Sequence, residues 1–220
     1  MKFLRENGLS ITLFVLFALS VVGQYFAGWH EHNEDQLLHG MPALGAVEYL
    51  GEGHFWEALF ENWESEVLQM AAYTLLTVFL FQKGASDSKR VGAAERVDRV
   101  LPKRLQKKDA PWPVRKGGMI LTVYENSLSL ALILLFGASF VLHGIGGAAA
   151  YNAEQAEHGG EQVTVVEYME TSKFWFESFQ NWQSEFLSIG MLVVLSIFLR
   201  QKGSPESKPV DASHSETGTG

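Results

Sequence analysis

Cysteine is absent from all 220 residues. That excludes disulfides, thiolate metal sites and cysteine nucleophiles, and leaves the redox compartment unmarked. Positive charge is missing over long stretches: no Lys or Arg occurs from Glu6 to Gln82, and only Lys173 occurs from Glu125 to Leu199. Sixteen of the seventeen basic residues fall at the N-terminus, between Lys83 and Lys116, or after Leu199. Acidic residues gather instead between the apolar runs. A water-soluble chain has no reason to sort charge in this way, whereas the positive-inside rule of membrane proteins demands it. The net charge of -8 therefore describes no single surface. Also missing are a Ser-His-Asp elbow, a phosphate-cradling glycine loop and a zincin helix, so no enzyme is expected.

Four apolar runs remain, at about 9–28, 63–82, 126–147 and 182–200. About 20 helical residues reach about 30 Å, enough to cross a bilayer. Asn7 is a candidate N-cap for the first run and Ser172 for the helix holding the last. Gly137, Ala138 and Ser139 offer a small-residue packing face. The second and fourth runs follow aromatic, acidic collars, Phe55–Glu66 and Phe174–Glu185. There Trp29, Trp56, Trp63, Trp175 and Trp182 suit the headgroup level as interface anchors.

The collars belong to a longer repeat. An offset of 119 aligns residues 6–89 with 125–208 without a gap, at roughly two identities in five. The expected fold is all-α: an integral membrane four-helix bundle made of two parallel helical-hairpin repeats. Residues 1–89 form repeat 1, 90–118 a basic cytoplasmic linker, 119–203 repeat 2, and 204–220 a disordered tail. Each repeat carries two spans, so both enter and leave on one side, with both termini cytoplasmic. Within the linker, residues 93–105 are expected to form an amphipathic helix carrying Val97, Val100, Leu101 and Leu105 on one side. Its basic residues suit anionic headgroups rather than nucleic acid.

Glu6-Asn7-Gly8-Leu9-Ser10, Phe60 through Met70 and Gln82 through Lys89 resemble an uncharacterised family of small bacterial membrane proteins, a domain of unknown function. The resemblance implies a bacterial inner membrane and agrees with the topology. It brings no activity, cofactor or site residue.

Two groups of residues are site candidates. Glu66 lies sixteen residues before Gln82, about 24 Å along a helix, just inside the outer edge of the hydrocarbon. Asn62, Ser65, Glu66 and Gln69, with Asn181, Ser184, Glu185 and Ser188 in the second copy, mark a candidate polar cavity for a cation or proton. The plainer reading has Glu66 reach the interface or bond a neighbouring helix. His39 and His158, related by the repeat, are weak metal candidates; solvated loop histidines are the simpler account. His143 alone lies in a span, so no bis-histidine haem site and no cofactor is expected. The partners expected are the lipid bilayer and a membrane-protein partner or second copy. An accessory or scaffold role ranks first, a small transporter or channel subunit second, outer-face metal binding third.

Overall fold

The computed structural model describes residues 2–99 and 110–218, and within them it is helical with no strand. The helices are α1 (Lys2–Glu6), α2 (Gly8–Leu38), α3 (Ala46–Tyr49), α4 (Gly53–Phe79), α5 (Trp112–Lys116), α6 (Gly118–Glu125), α7 (Ser127–His158), α8 (Val165–Met169) and α9 (Ser172–Phe198). Three are long and apolar enough to cross a membrane: α2, α7 over Ser127–Ala156, and α9. None of the apolar window of α2 is buried within the chain. Phe14, Leu19 and Leu134, each more than half exposed, face outward on α2 and α7. In water such surface would be costly; in lipid it is the solvated face.

Local structure recurs at the 119-residue offset. The bounds of α4 and α9 match residue for residue. Asn33 brackets the backbone of Leu44 through both amide atoms, at 3.0 and 2.7 Å, as Asn152 brackets Val163, both at 2.8 Å. After α4 the Gln82 N–H donates to Ser88 Oγ (2.8 Å), and after α9 Gln201 does the same to Ser207 (2.9 Å).

The chain divides into two compact units. Unit 1 comprises Met1–Phe60 and Leu142–Phe174. Its core gathers Tyr49, Phe55 and Leu59, flanked by Val21, Tyr25 and Trp29, and elsewhere in the unit His143 stacks on buried Phe174 at 4.7 Å. Here α4 and α7 meet backbone to backbone. A Cβ on Gly146 would lie 2.6 Å from the Glu57 nitrogen, and one on Gly53 would lie 2.7 Å from the Gly146 oxygen. Unit 2 comprises Glu61–Val141 and Trp175–Gly220 and holds the remainder of α4 and α9.

Several local expectations are corrected. Gly137 meets nothing within 4 Å, so the close-packing glycines are Gly53 and Gly146. Asn7 does not cap α2 with its side chain; its Nδ2 donates back to the Phe3 carbonyl at 2.9 Å. Ser172 is the first residue of α9, and the Thr171 hydroxyl accepts the Phe174 N–H instead. Helices α2 and α7 run past the apolar stretches into the acidic loops, since solvated charge does not end a helix. Of the expected linker helix, Arg96–Asp98 is a single 3-10 turn, and Val100, Leu101 and Leu105 lie outside the described residues.

Over 204–218 the chain runs through successive turns. Lys208 is 2 % exposed, and its ammonium donates to the carbonyls of Ser213, His214 and Glu216 at 3.1, 3.3 and 2.9 Å. Arg200 bonds the carbonyls of Pro209 and Ala212. The Gly218 N–H reaches the Ala85 carbonyl (3.0 Å).

Candidate functional site

On α4, Glu57, Glu61 and Glu64 are spaced i, i+4, i+7 and share one helix face. In unit 2, Glu61 and Glu64 and, further along the helix, Gln69 meet α9. Trp182 Nε1 donates to Glu64 Oε1 at 2.9 Å, and the Asn181 amide donates to Glu61. One turn on, Gln69 Nε2 donates to the Glu185 carbonyl at 2.8 Å and to Ser188 Oγ at 3.0 Å. Glu64 is 0 % exposed, and Ser65 and Gln69 are also buried. Each bond satisfies a polar group on both helices and so ties α4 to α9.

The candidate polar residues separate into two sets. Gln69, Ser188 and the backbone of Glu185 come together, while Asn181 bonds Glu61. Ser65 and Ser184 instead bond back to the carbonyls of Asn62 and Asn181, at 2.9 and 2.8 Å. Asn62 and Glu66 are exposed. Glu61 and Glu64 were not among the sequence candidates. Their signal was the seven-residue stripe of three carboxylates facing a helix rich in amide and indole donors.

The tryptophans divide as well. Trp29 donates to the Leu44 carbonyl at 2.8 Å and packs on the unit 1 core, while Trp182 is engaged by Glu64. Trp56, Trp63 and Trp175 are each more than a third exposed, as interface anchors would be.

Unit 1 explains the one basic residue between Glu125 and Leu199. Lys173 Nζ lies 3.1 Å from Glu57 Oε1, which also accepts the Tyr168 hydroxyl at 3.0 Å. At the positions equivalent by the repeat, the Tyr49 hydroxyl contacts His54 Nδ1 at 2.9 Å. Burial first, and the Glu31 charge second, push Tyr49 up to about 12. The His39 and His158 rings meet at 6.2 Å. Each Nδ1 bonds a carbonyl of its own helix, Asp35 at 3.0 Å and Glu154 at 2.9 Å. Among the described residues no three His, Asp or Glu side chains cluster to hold a metal.

A pattern runs through these contacts. Gln69 bonds Ser188, and the His39 and His158 rings meet. Both pairs are separated by 119 residues.

A family model described as "Domain of unknown function (DUF6766)" matches residues 1–219. No curated protein and no solved structure matches the chain.

Proposed function

We propose that this chain, which belongs to the DUF6766 family of unknown function, is a four-span membrane protein built from two parallel helical hairpins and serves as an accessory or scaffold protein without catalytic activity. The observation that carries the reading is that three polar side chains of α4 bond side chains of α9: Gln69 to Ser188, Glu61 to Asn181, Glu64 to Trp182. Helix α4 carries too much charge to stand alone in lipid. With Glu61, Glu64 and Gln69 turned to α9, exposed Asn62 and Glu66 stay near its outer end, the helix beyond Met70 is largely apolar, and α4 becomes the fourth span. Contacts between equivalent positions support two parallel repeats about an axis along the membrane normal. The basic 83–116 stretch and both termini then face the cytoplasm of a bacterial inner membrane.

Reporter fusions test the topology: Arg99 inside and Glu48 outside are expected, and the same side for both would refute it. Purification in mild detergent tests the role, with a stoichiometric membrane-protein partner or a second copy expected to remain bound. The carboxylates Glu66 and Glu185, each three residues before a partner in the Gln69–Ser188 bond, favour a second reading, a cation or proton pathway. A change in ion flux across liposomes on Glu66→Gln with Glu185→Gln would replace the scaffold reading with transport.

A further inference from the structure

The geometry points to Trp112–Tyr124 as a membrane-surface foot that binds anionic phospholipid, an inference that rests on the membrane reading above. Helix α5 ends in Arg115 and Lys116. Gly117 and Gly118, at φ 70° and 61°, turn the chain into α6, which packs against α5. Those φ values are the left-handed backbone that glycine adopts without strain.

The hairpin has two chemically distinct parts. On α6, Met119 and Val123 are i, i+4 neighbours, 82 % and 55 % exposed, and with Ile120 they line an apolar recess. On α5, Trp112 is 55 % exposed, with the Lys116 ammonium 4.9 Å from its ring. Arg115 and Lys116 have no carboxylate partner among the described residues. An apolar shelf, an indole and two cations with no carboxylate partner among the described residues are the parts of an interfacial anchor: the shelf enters the acyl boundary, the indole sits at headgroup level, and the cations meet phosphate.

Position selects lipid over a protein occupant. Helix α6 ends at Glu125 and α7 begins at Ser127. The foot is therefore joined through one residue to an apolar helix of spanning length, which holds it at the bilayer surface. Charge selects the lipid: the segment from Lys83 to Lys116 carries eleven basic and four acidic residues, complementary to an anionic leaflet.

The absence of cysteine allows a single label. Full-length protein bearing Met119→Cys with a nitroxide is reconstituted in phosphatidylcholine vesicles, or in an equal mixture with phosphatidylglycerol. Accessibility of the label to oxygen and to a water-soluble nickel chelate is then compared. In the mixed vesicles the label is expected to be open to oxygen and shielded from nickel, and more so than in phosphatidylcholine alone. Each basic group near an anionic surface contributes a factor of about five. Arg115→Gln with Lys116→Gln should therefore lower the docked-to-undocked ratio roughly 25-fold. Nickel access in both lipids, shielding from both reagents (a protein cover), or equal shielding in the two lipids would overturn the proposal. A nitroxide at Leu134→Cys on α7 serves as reference. Nickel access there would refute the membrane reading itself, while oxygen access there with failure at Met119→Cys refutes only the foot.

Discussion

Replacing Lys173 by methionine removes the cation beside a carboxylate that is held out of water. The Glu57 side chain is 10 % exposed and that of Lys173 is 39 % exposed. Breaking one side of a fully buried ion pair costs roughly 3–5 kcal/mol, because the remaining charge stays desolvated. Here water already screens the ammonium, and Tyr168 continues to donate to Glu57, so a loss of about 2–3 kcal/mol is expected. For a chain of this length that lowers Tm by about 4–12 °C, readable as thermal loss of the monodisperse peak in detergent. Glu57→Gln in the Lys173→Met background should recover most of the loss, since no lone charge remains, and Lys173→Arg should remain near wild type. The reasoning fails if Lys173→Met melts with the wild-type protein. It also fails if the two single losses simply add in the double variant, because additivity means the groups do not interact.

Gly146→Val places a side chain against the backbone of Glu57 and Trp56, which cannot give way. Loss of folded yield is expected, with a cost of about 1–3 kcal/mol or more. Gly137→Ala, in open space, should instead gain roughly 0.5–1 kcal/mol; equal behaviour of the two variants in the same melting assay would refute the crossing. Gln69→Leu removes both donors toward α9, and a loss of about 1 kcal/mol in detergent unfolding is expected, with no change as the refuting result. For Tyr49 the folded pKa of about 12 lies above the ordinary value of 10.0. Stability from this group is intact below pH 10 and falls as pH rises toward 12, because the unfolded chain loses its phenolic proton first. Tyr49→Phe should flatten that part of an alkaline stability profile, and an unchanged slope would remove Tyr49 as its cause.

How much of this was legible in the sequence depended on which force set each feature. Lipid sorts charge and hydrophobicity over whole segments, so the apolar helices and the start of α4 could be read directly. The repeat was legible because its identities include residues with local tasks. Ser65 and Ser184 bond back within their own helices, and Glu48 and Glu167 each accept the amide N–H three residues earlier, both at 2.7 Å. Tertiary pairing was not legible. Glu64 looked like part of a solvated acidic collar because burial of a carboxylate depends on Trp182, far along the chain. Lys173 stood out as a solitary cation, but only the fold shows that Glu57 is its partner. The candidate polar residues favoured Glu66, which is exposed, over Glu61 and Glu64, because helical spacing alone does not say which side faces the neighbouring helix.

Lys208 and Arg200 direct their donors at main-chain oxygens. Formal charge counted along residues 200–208 thus overstates the field that this end of the molecule presents. Lys208 is enclosed by the dipoles of its own peptide groups, and part of the Arg200 guanidinium is engaged in the same way. Any shortening of the chain within 209–218 would strip those dipoles away and release the two cations to solvent. The shortened protein would carry a surface more positive than its sequence difference suggests, and its behaviour on ion exchange or toward acidic vesicles would report that release rather than the loss of a passive extension.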